Sequence, residues 1–415
     1  MVGGGSKVMK KIGVLVLIGY VVYGICVWYY LFHHAPIGIP SEYVGTAADP
    51  ATFMVSGGYE FSTIFSRLRH LIFFLSTPFE WLAVLFFIFG GLSEHFEDVV
   101  KTRISMRWLQ VMVYYFMFAL YTFLVMLPFS FINYQLARFY GTSIMSISHW
   151  VRNRGIDFII DFILMMIIIQ GVMFLMRMSR RTWWCFAWLA FIPFAFFFML
   201  IRPVVIDPLY SDFRPIQNPE LEARILELAD EAGVSAGSVF EVEMSDRTNT
   251  INGYVTGVGP TARIVLWDTA LERLSEDEIM FLMAHEIAHY VNYDVYIGIG
   301  IAVAFAFGGL FIVYKVVDRM DDRSLRRIPV AILTVSLLLF AVSPATNVIS
   351  RWLEVRADEF ALEMTQDAEA GIGLFQTLSD TALNEVHPPR LVRIFRSTHP
   401  SIFERIVVLM EDVAQ

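Results

Sequence analysis

Seven stretches of almost unbroken apolar sequence divide the chain, at 12–32, 71–92, 108–132, 158–176, 183–206, 295–317 and 328–349. Each has roughly the 20 residues that a helix needs to cross the hydrocarbon of a bilayer. The first ends in Trp28-Tyr29-Tyr30, is too long for the apolar core of a signal peptide and is followed by no small-residue cleavage site. It reads as a retained signal anchor. Ahead of it lies a Gly-rich leader, residues 1–11, in which Met9-Lys10-Lys11 looks like a second natural start. The second stretch contains Pro78 and Glu80. A carboxylate at that depth either faces a bundle interior or cavity, or sits in an interfacial turn.

The pattern changes after residue 206. From Pro219 to Gly233 apolar residues recur at helical spacing, with Leu221, Ile225, Leu228 and Ala229 on one face and Gly233 as a stop. Residues 240–244 alternate as a strand, and 251–257 and 263–267 read as two more, joined by a Gly-Pro turn. Ser275 and Glu278 form a capping box that opens another apolar helix. The expected organisation is a membrane region of about five spans at 12–206, an α+β insert at 207–294, a transmembrane hairpin at 295–349 and a soluble C-terminal segment at 350–415. The fold class is therefore a mainly helical membrane protein of about seven spans, with a small α+β domain split by the last two.

Composition agrees. The chain is 56% hydrophobic and 17% charged, with a mean hydropathy of +0.58, far from a soluble domain. A net charge of −9 argues against a nucleic-acid partner. The only two cysteines, Cys26 and Cys185, lie in apolar stretches and supply neither a disulfide framework nor a thiolate metal site.

The chemistry concentrates in the helix after Ser275, which contains His285-Glu286-Ile-Ala-His289. Residues four apart project from one helical face, so both imidazoles can reach one zinc ion, with Glu286 beside them as the base that activates water. Two histidines and a glutamate on so apolar a helix are costly without a partner. A catalytic zinc takes three protein ligands. Glu354 is the best third candidate, at the opening of a helix that leaves the last span, with Asp358 one turn on and placed to hold a ligand histidine by its other ring nitrogen. The plain alternative for this pair is a solvated acidic face. Two spans separate His289 from Glu354, an even number, which returns the chain to the side it left.

These residues, with Asp207-Pro-Leu-Tyr, Arg247 through Gly-Tyr-Val-Thr-Gly257, Arg263-Ile-Val-Leu-Trp-Asp-Thr269 and Ser397-Thr-His399-Pro400, resemble the integral-membrane zinc proteases of the type I CAAX prenyl protease family. The resemblance implies seven tilted helices around a water-filled chamber and one Zn2+ per chain, held by His285, His289 and Glu354. It implies Glu286 as general base, Asp358 behind the ligands, and His399 near the scissile carbonyl. Asn252 and Tyr254 would lie where an extended peptide adds to a sheet edge. Read without the resemblance, Asn252-Gly253 is also a turn signal, and His387 and His399 are also loop residues.

Three functions follow as expectations. The first is a protease that trims a C-terminal tripeptide from prenylated protein. The second is a broader endoprotease clearing peptides or membrane proteins, with no lipid requirement. The third is a non-catalytic scaffold with a structural zinc, against which the intact Glu286 argues. The partners are the bilayer and a peptide substrate, lipidated or not. The location is a cell membrane in a prokaryote or the endoplasmic reticulum in a eukaryote. Lysines and arginines crowd the connections at 7–11, 101–107, 177–181 and 319–327, which share one side. The positive-inside rule puts that side in the cytoplasm and the catalytic side outside; the family resemblance implies a cytosolic catalytic side.

Overall fold

Each of the seven apolar stretches contributes a helix, the fifth as far as Ile201, in the computed structural model, which describes residues 3–35, 38–55, 58–201, 205, 209, 212–234, 237–257 and 263–414. In order they are α1 (Gly3–Tyr29, continued by a π-helical turn Tyr30–His34), a short α2 (Pro50–Phe53), α3 (Gly58–Phe89), α4 (Leu92–Arg103), α5 (Arg107–Phe139), α6 (Ile147–Met178) and α7 (Trp183–Ile201). The insert adds α8 (Pro219–Glu231), α9 (Asp268–Arg273) and α10 (Glu276–Val291). Then come α11 (Asp294–Val317), α12 (Arg327–Thr365), α13 (Ala368–Ala382), α14 (Arg390–Phe395) and α15 (Ile402–Val413). Seven of these, α1, α3, α5, α6, α7, α11 and α12, are long and apolar enough to span a membrane. Asp207, Pro208 and Tyr210 of the quoted motif, and the Gly-Pro turn at 258–262, lie outside the described residues.

Pro78 does not interrupt α3, so the turn alternative for Glu80 is removed; Glu80 is a half-buried helical residue. Proline lacks the N–H that would satisfy the carbonyl four residues back, at Phe74. The Tyr23 hydroxyl of α1 donates to that carbonyl at 3.0 Å, and Tyr20 donates to the next one, at Leu75, also at 3.0 Å. Inside a bilayer no water can do this, so a neighbouring helix supplies the donor. Helix α3 also begins well before residue 71, because its first turns carry Ser62, Thr63, Ser66 and Arg67, all buried against protein. Hydropathy alone cannot mark such polar but packed turns.

The even-numbered connections, after α3, α6 and α11, meet on one face. Arg180, after α6, pairs with Asp322 at 2.9 Å, after α11. Glu97 of α4 accepts from the Ser324 hydroxyl at 3.0 Å and the Leu325 amide at 2.9 Å. On the other face the connection after α5 joins the insert: the Ile144 amide donates to the Arg247 carbonyl at 3.0 Å and that of Asn249 to Thr142 at 3.2 Å.

The insert's sheet has the order β1-β2-β4-β3, with β1 Phe213–Pro215, β2 Val239–Val242, β3 Gly253–Thr256 and β4 Arg263–Trp267. Strands β2 and β4 run parallel and the other two pairs antiparallel. Strand β1 was not expected from the sequence; three residues are too few for an alternation to show. The sheet shares one core with α8, α10, α13 and α15, through Ile225, Phe281, Leu374 and Ile406, none more than 1% exposed. The chain between α1 and α3 closes onto it: Ala48 and Met54 enter the core, and Gln376 Nε2 donates to the Ala47 carbonyl at 2.8 Å.

Candidate metal centre and active site

Helix α10 starts at the expected capping box: the Ser275 hydroxyl accepts from the Glu278 amide at 3.3 Å, and the Glu278 carboxylate accepts from the Ser275 amide at 2.7 Å. Ile279, Phe281, Met283, Ala284, Ile287 and Ala288 then bury it almost all round. Two glycines let its neighbours come this close. A Cβ on Gly253 would stand 2.9 Å from the Met283 methyl, and one on Gly371 would stand 2.7 Å from the Phe281 ring. Strand β3 and helix α13 are thus packed directly on the helix that carries His285 and His289.

Helix α12 brings the third group. Rather than opening a new helix, as the sequence suggested, Glu354 lies deep within the 39 residues of α12, which leaves the span without a break and runs along α10. Continuity makes physical sense, because a single rod fixes the carboxylate's height relative to the membrane. One donor atom each from His285, His289 and Glu354 lies within 4.8 Å of the others. The two imidazole Nε2 atoms are 3.2 Å apart. Glu354 Oε2 is 3.3 Å from His285 Nε2, and its Oε1 is 3.6 Å from His289 Nε2. Although buried, Glu354 Oε2 accepts no well-aligned hydrogen bond. Two facing ring nitrogens, that of His285 buried and that of His289 partly buried, and a buried carboxylate oxygen without a hydrogen-bond partner fit a site built for a metal ion.

The outer ring nitrogens are both held by acids. His285 Nδ1 is 2.9 Å from Asp358 Oδ1, and His289 Nδ1 is 2.8 Å from Asp294 Oδ2. These bonds set each ring so that Nε2 points inward. Each acid meets an arginine in turn. Arg405 of α15 donates to both Asp358 oxygens, at 2.8 and 2.5 Å, with its guanidinium over the Phe375 ring. Arg356 pairs with Asp294 and lies over Trp352. Asp294 reaches back because Tyr293, in the left-handed conformation (φ 58°), turns the chain sharply between α10 and α11.

The site attracts positive charge. Burial alone would lower the pKa of His285, but the neighbouring carboxylates of Asp358 and then Glu354 outweigh it and push it up to about 9. Burial raises the pKa of Glu286, against the pull of His285 and His289. Its side chain sits in the same helical turn as the donor group. His399, more than half exposed, approaches from the C-terminal segment with Nε2 3.3 Å from Glu354 Oε1.

Of the residues singled out from the sequence, His285, Glu286, His289, Glu354, Asp358 and His399 come together here. Asn252 and Tyr254 do not belong to the donor cluster; they lie at β3, the terminal strand of the sheet, where the Asn252 carbonyl accepts from the Trp267 amide at 3.0 Å. Asp294, Arg356 and Arg405 were missed. An acid at the first turn of a membrane span, five residues after His289, was a visible signal for Asp294, since it is costly there without a partner. Arg405 had a weaker one, the second capping box at Ser401 and Glu404.

Comparison with known proteins adds an independent line. Residues 215–413 match the family model described as peptidase family M48, and residues 53–212 match one described as the CAAX prenyl protease N-terminal region of five membrane helices. An uncharacterized metalloprotease of Bacillus subtilis, YhfN, is 38% identical over 400 residues, covering 94% of each chain. A CAAX prenyl protease 1 homolog of Arabidopsis thaliana is 28% identical over 249 residues, covering 58% of each. The crystal structure of S. mikatae Ste24p superimposes with a TM-score of 0.78 over 95% of this chain and 96% of that one, at 20% identity, which shows a shared fold.

Proposed function

The chain belongs to peptidase family M48, an integral-membrane metalloprotease by that membership, and from this premise we propose that it cuts peptide bonds with a zinc ion held by His285, His289 and Glu354. The observation that carries the reading is the convergence of two imidazole nitrogens and one carboxylate beside Glu286. Tetrahedral zinc with bonds of about 2.0–2.1 Å puts neighbouring ligand atoms about 3.3 Å apart, and the separations of 3.2, 3.3 and 3.6 Å support that geometry. A nitrogen and oxygen set without thiolate also suits a catalytic rather than a structural zinc.

Bound there, the metal would act as a Lewis acid toward water and the scissile carbonyl. The residues do the rest. Glu286 takes a proton from the attacking water and passes it to the leaving amine; its raised pKa suits a group that must both accept and return a proton. Asp358 and Asp294 keep the imidazoles oriented. His399 donates from Nε2 to the oxygen on which negative charge develops. The peptide lies extended along β3, from Asn252 through Tyr254, pairing main chain to main chain.

The first test measures metal content and cleavage of a quenched peptide in detergent for wild type and Glu286→Gln, with and without chelator. The expected result is about one zinc per chain in both proteins, and cleavage by untreated wild type alone. Absence of zinc, or normal cleavage by Glu286→Gln, would overturn the assignment.

For the substrate we infer a peptide of the kind named for the CAAX prenyl protease relatives. A second reading, a broader endoprotease with no lipid requirement, draws on β3 itself, since strand addition recognises backbone rather than lipid. One peptide offered with and without its prenyl group separates the two: a strong preference for the lipidated form favours the first and equal rates favour the second.

A further inference from the structure

Away from the metal centre, a cavity of about 470 Å³ opens where the end of α1 meets α12 and the segment leading into α14. Its walls include Tyr30, His34, Arg351, His387, Arg390 and Arg393. Three guanidinium groups and two imidazoles gather here. Arg393 is matched by Glu404. Among the described residues neither Arg351 nor Arg390 meets a carboxylate. Arg351 instead spends one amino group on backbone, donating to the Arg393 and Ser397 carbonyls at 2.9 and 2.7 Å. That holds its guanidinium in place without neutralising it. Nδ1 of His387 is buried and has no hydrogen-bond partner. Two guanidinium groups without a carboxylate partner, Arg351 and Arg390, on the wall of one cavity make it a place that fits an anion.

The level of the cavity says which anion. Tyr30 and His34 are the last turn of the first span, just after Trp28 and Tyr29, where aromatic residues mark the boundary between hydrocarbon and headgroups. The Tyr30 hydroxyl accepts from the Leu391 amide at 3.3 Å, which moors the His387–Arg393 segment at that height. Basic pockets between spans at headgroup level take lipid phosphates, and planar guanidinium groups match phosphate oxygens in pairs. We propose that this cavity binds the phosphate of an anionic phospholipid headgroup, fixing the C-terminal catalytic segment to the membrane surface beside α1. The His387-Pro-Pro motif then has a role of its own: the two prolines, Pro388 and Pro389, stiffen the rim, and the His387 ring, packed on Phe403, forms part of the wall.

The test uses the full chain in neutral detergent and follows its thermal unfolding against short-chain phosphatidylglycerol, short-chain phosphatidylcholine and inorganic phosphate. Phosphatidylglycerol is expected to raise the Tm saturably, with phosphatidylcholine inert and phosphate active only at concentrations at least tenfold higher. Arg390→Gln should weaken the phosphatidylglycerol response about tenfold, and Arg390→Lys, which keeps the charge but not the planar fork, should weaken it less, with the lipid-free Tm of both variants unchanged, which separates lost recognition from damaged folding. Equal responses to the two lipids, or an unchanged response in Arg390→Gln, would overturn the proposal. A response to free phosphate as strong as to phosphatidylglycerol would overturn the lipid assignment and leave a site for soluble anions.

Discussion

Each inward-facing histidine at the candidate metal centre is braced by a carboxylate, and each of those by an arginine: His285 by Asp358 and Arg405, His289 by Asp294 and Arg356. The arginines remove the cost of two extra buried negative charges without touching the donor atoms. Asp358→Asn and Asp294→Asn keep the shape of the side chain but weaken its hold on the ring, and each should lower metal affinity about 10–100-fold, read by competition with a coloured chelator. A different pair at this scale concerns stability. Arg67 of α3 donates from Nε and Nη2 to Glu385 Oε1 at 2.9 and 2.5 Å, and also to the Leu31 carbonyl, with neither side chain more than 1% exposed. Arg67→Met leaves that carboxylate buried alone and should cost about 3–5 kcal/mol. Thermal unfolding checks it, and adding Glu385→Leu to the same chain should recover most of the loss.

At the scale of elements, the insert depends on how its strands and short helices are tied. Asp268, the first residue of α9, accepts from the amides of Met244, Ser245 and Thr269 and from the Ser245 hydroxyl at 2.6 Å. This joins the end of β2 to the end of β4. Burial raises the Asp268 pKa, but those four bonds outweigh it and hold the carboxyl below its ordinary value of 3.8. A folded pKa below the unfolded one means that the stabilisation is fully present above the unfolded value and is lost as pH falls through the folded one. Stability should therefore decline below about pH 4, and Asp268→Asn should flatten that part of the pH profile while lowering stability at neutral pH. Denaturation curves from pH 2 to 7 show whether it does. The boundaries of β4 and the capping box of α10 were legible in the sequence, since both are set by neighbours a few residues away. The start of α3 and the short β1 were not, since the first needs the catalytic segment packed on it and the second needs β2 beside it.

At the scale of the whole molecule, seven spans place the ends of α1, α5 and α7 with the catalytic region and the connections after α3, α6 and α11 on the far face. Many cations of that far face are ion-paired, as in Arg180–Asp322, Arg327–Asp322 and Lys101–Glu97. A protease site inserted in the 318–326 connection reports its side in intact cells. Cleavage from outside is the outcome expected if the candidate metal centre faces the cytoplasm, as the resemblance to CAAX prenyl proteases implies. Protection would instead follow the positive-inside rule.

The helical spans, the His285-Glu286-x-x-His289 helix and the candidacy of Glu354 and Asp358 could all be read from the chain alone. Hydropathy, cap chemistry and the spacing of donors on one helical face are local properties, and the even number of spans before Glu354 is simple counting. What only the tertiary structure decided is which distant charges complete the site. Arg405 reaches Asp358 because α15 packs on α13 and α10; Asp294 reaches His289 because of one left-handed residue; Tyr23 mends the break left by Pro78 because α1 lies against α3. Those partnerships depend on burial, since a charge or a carbonyl removed from water must find its partner wherever the fold has put one.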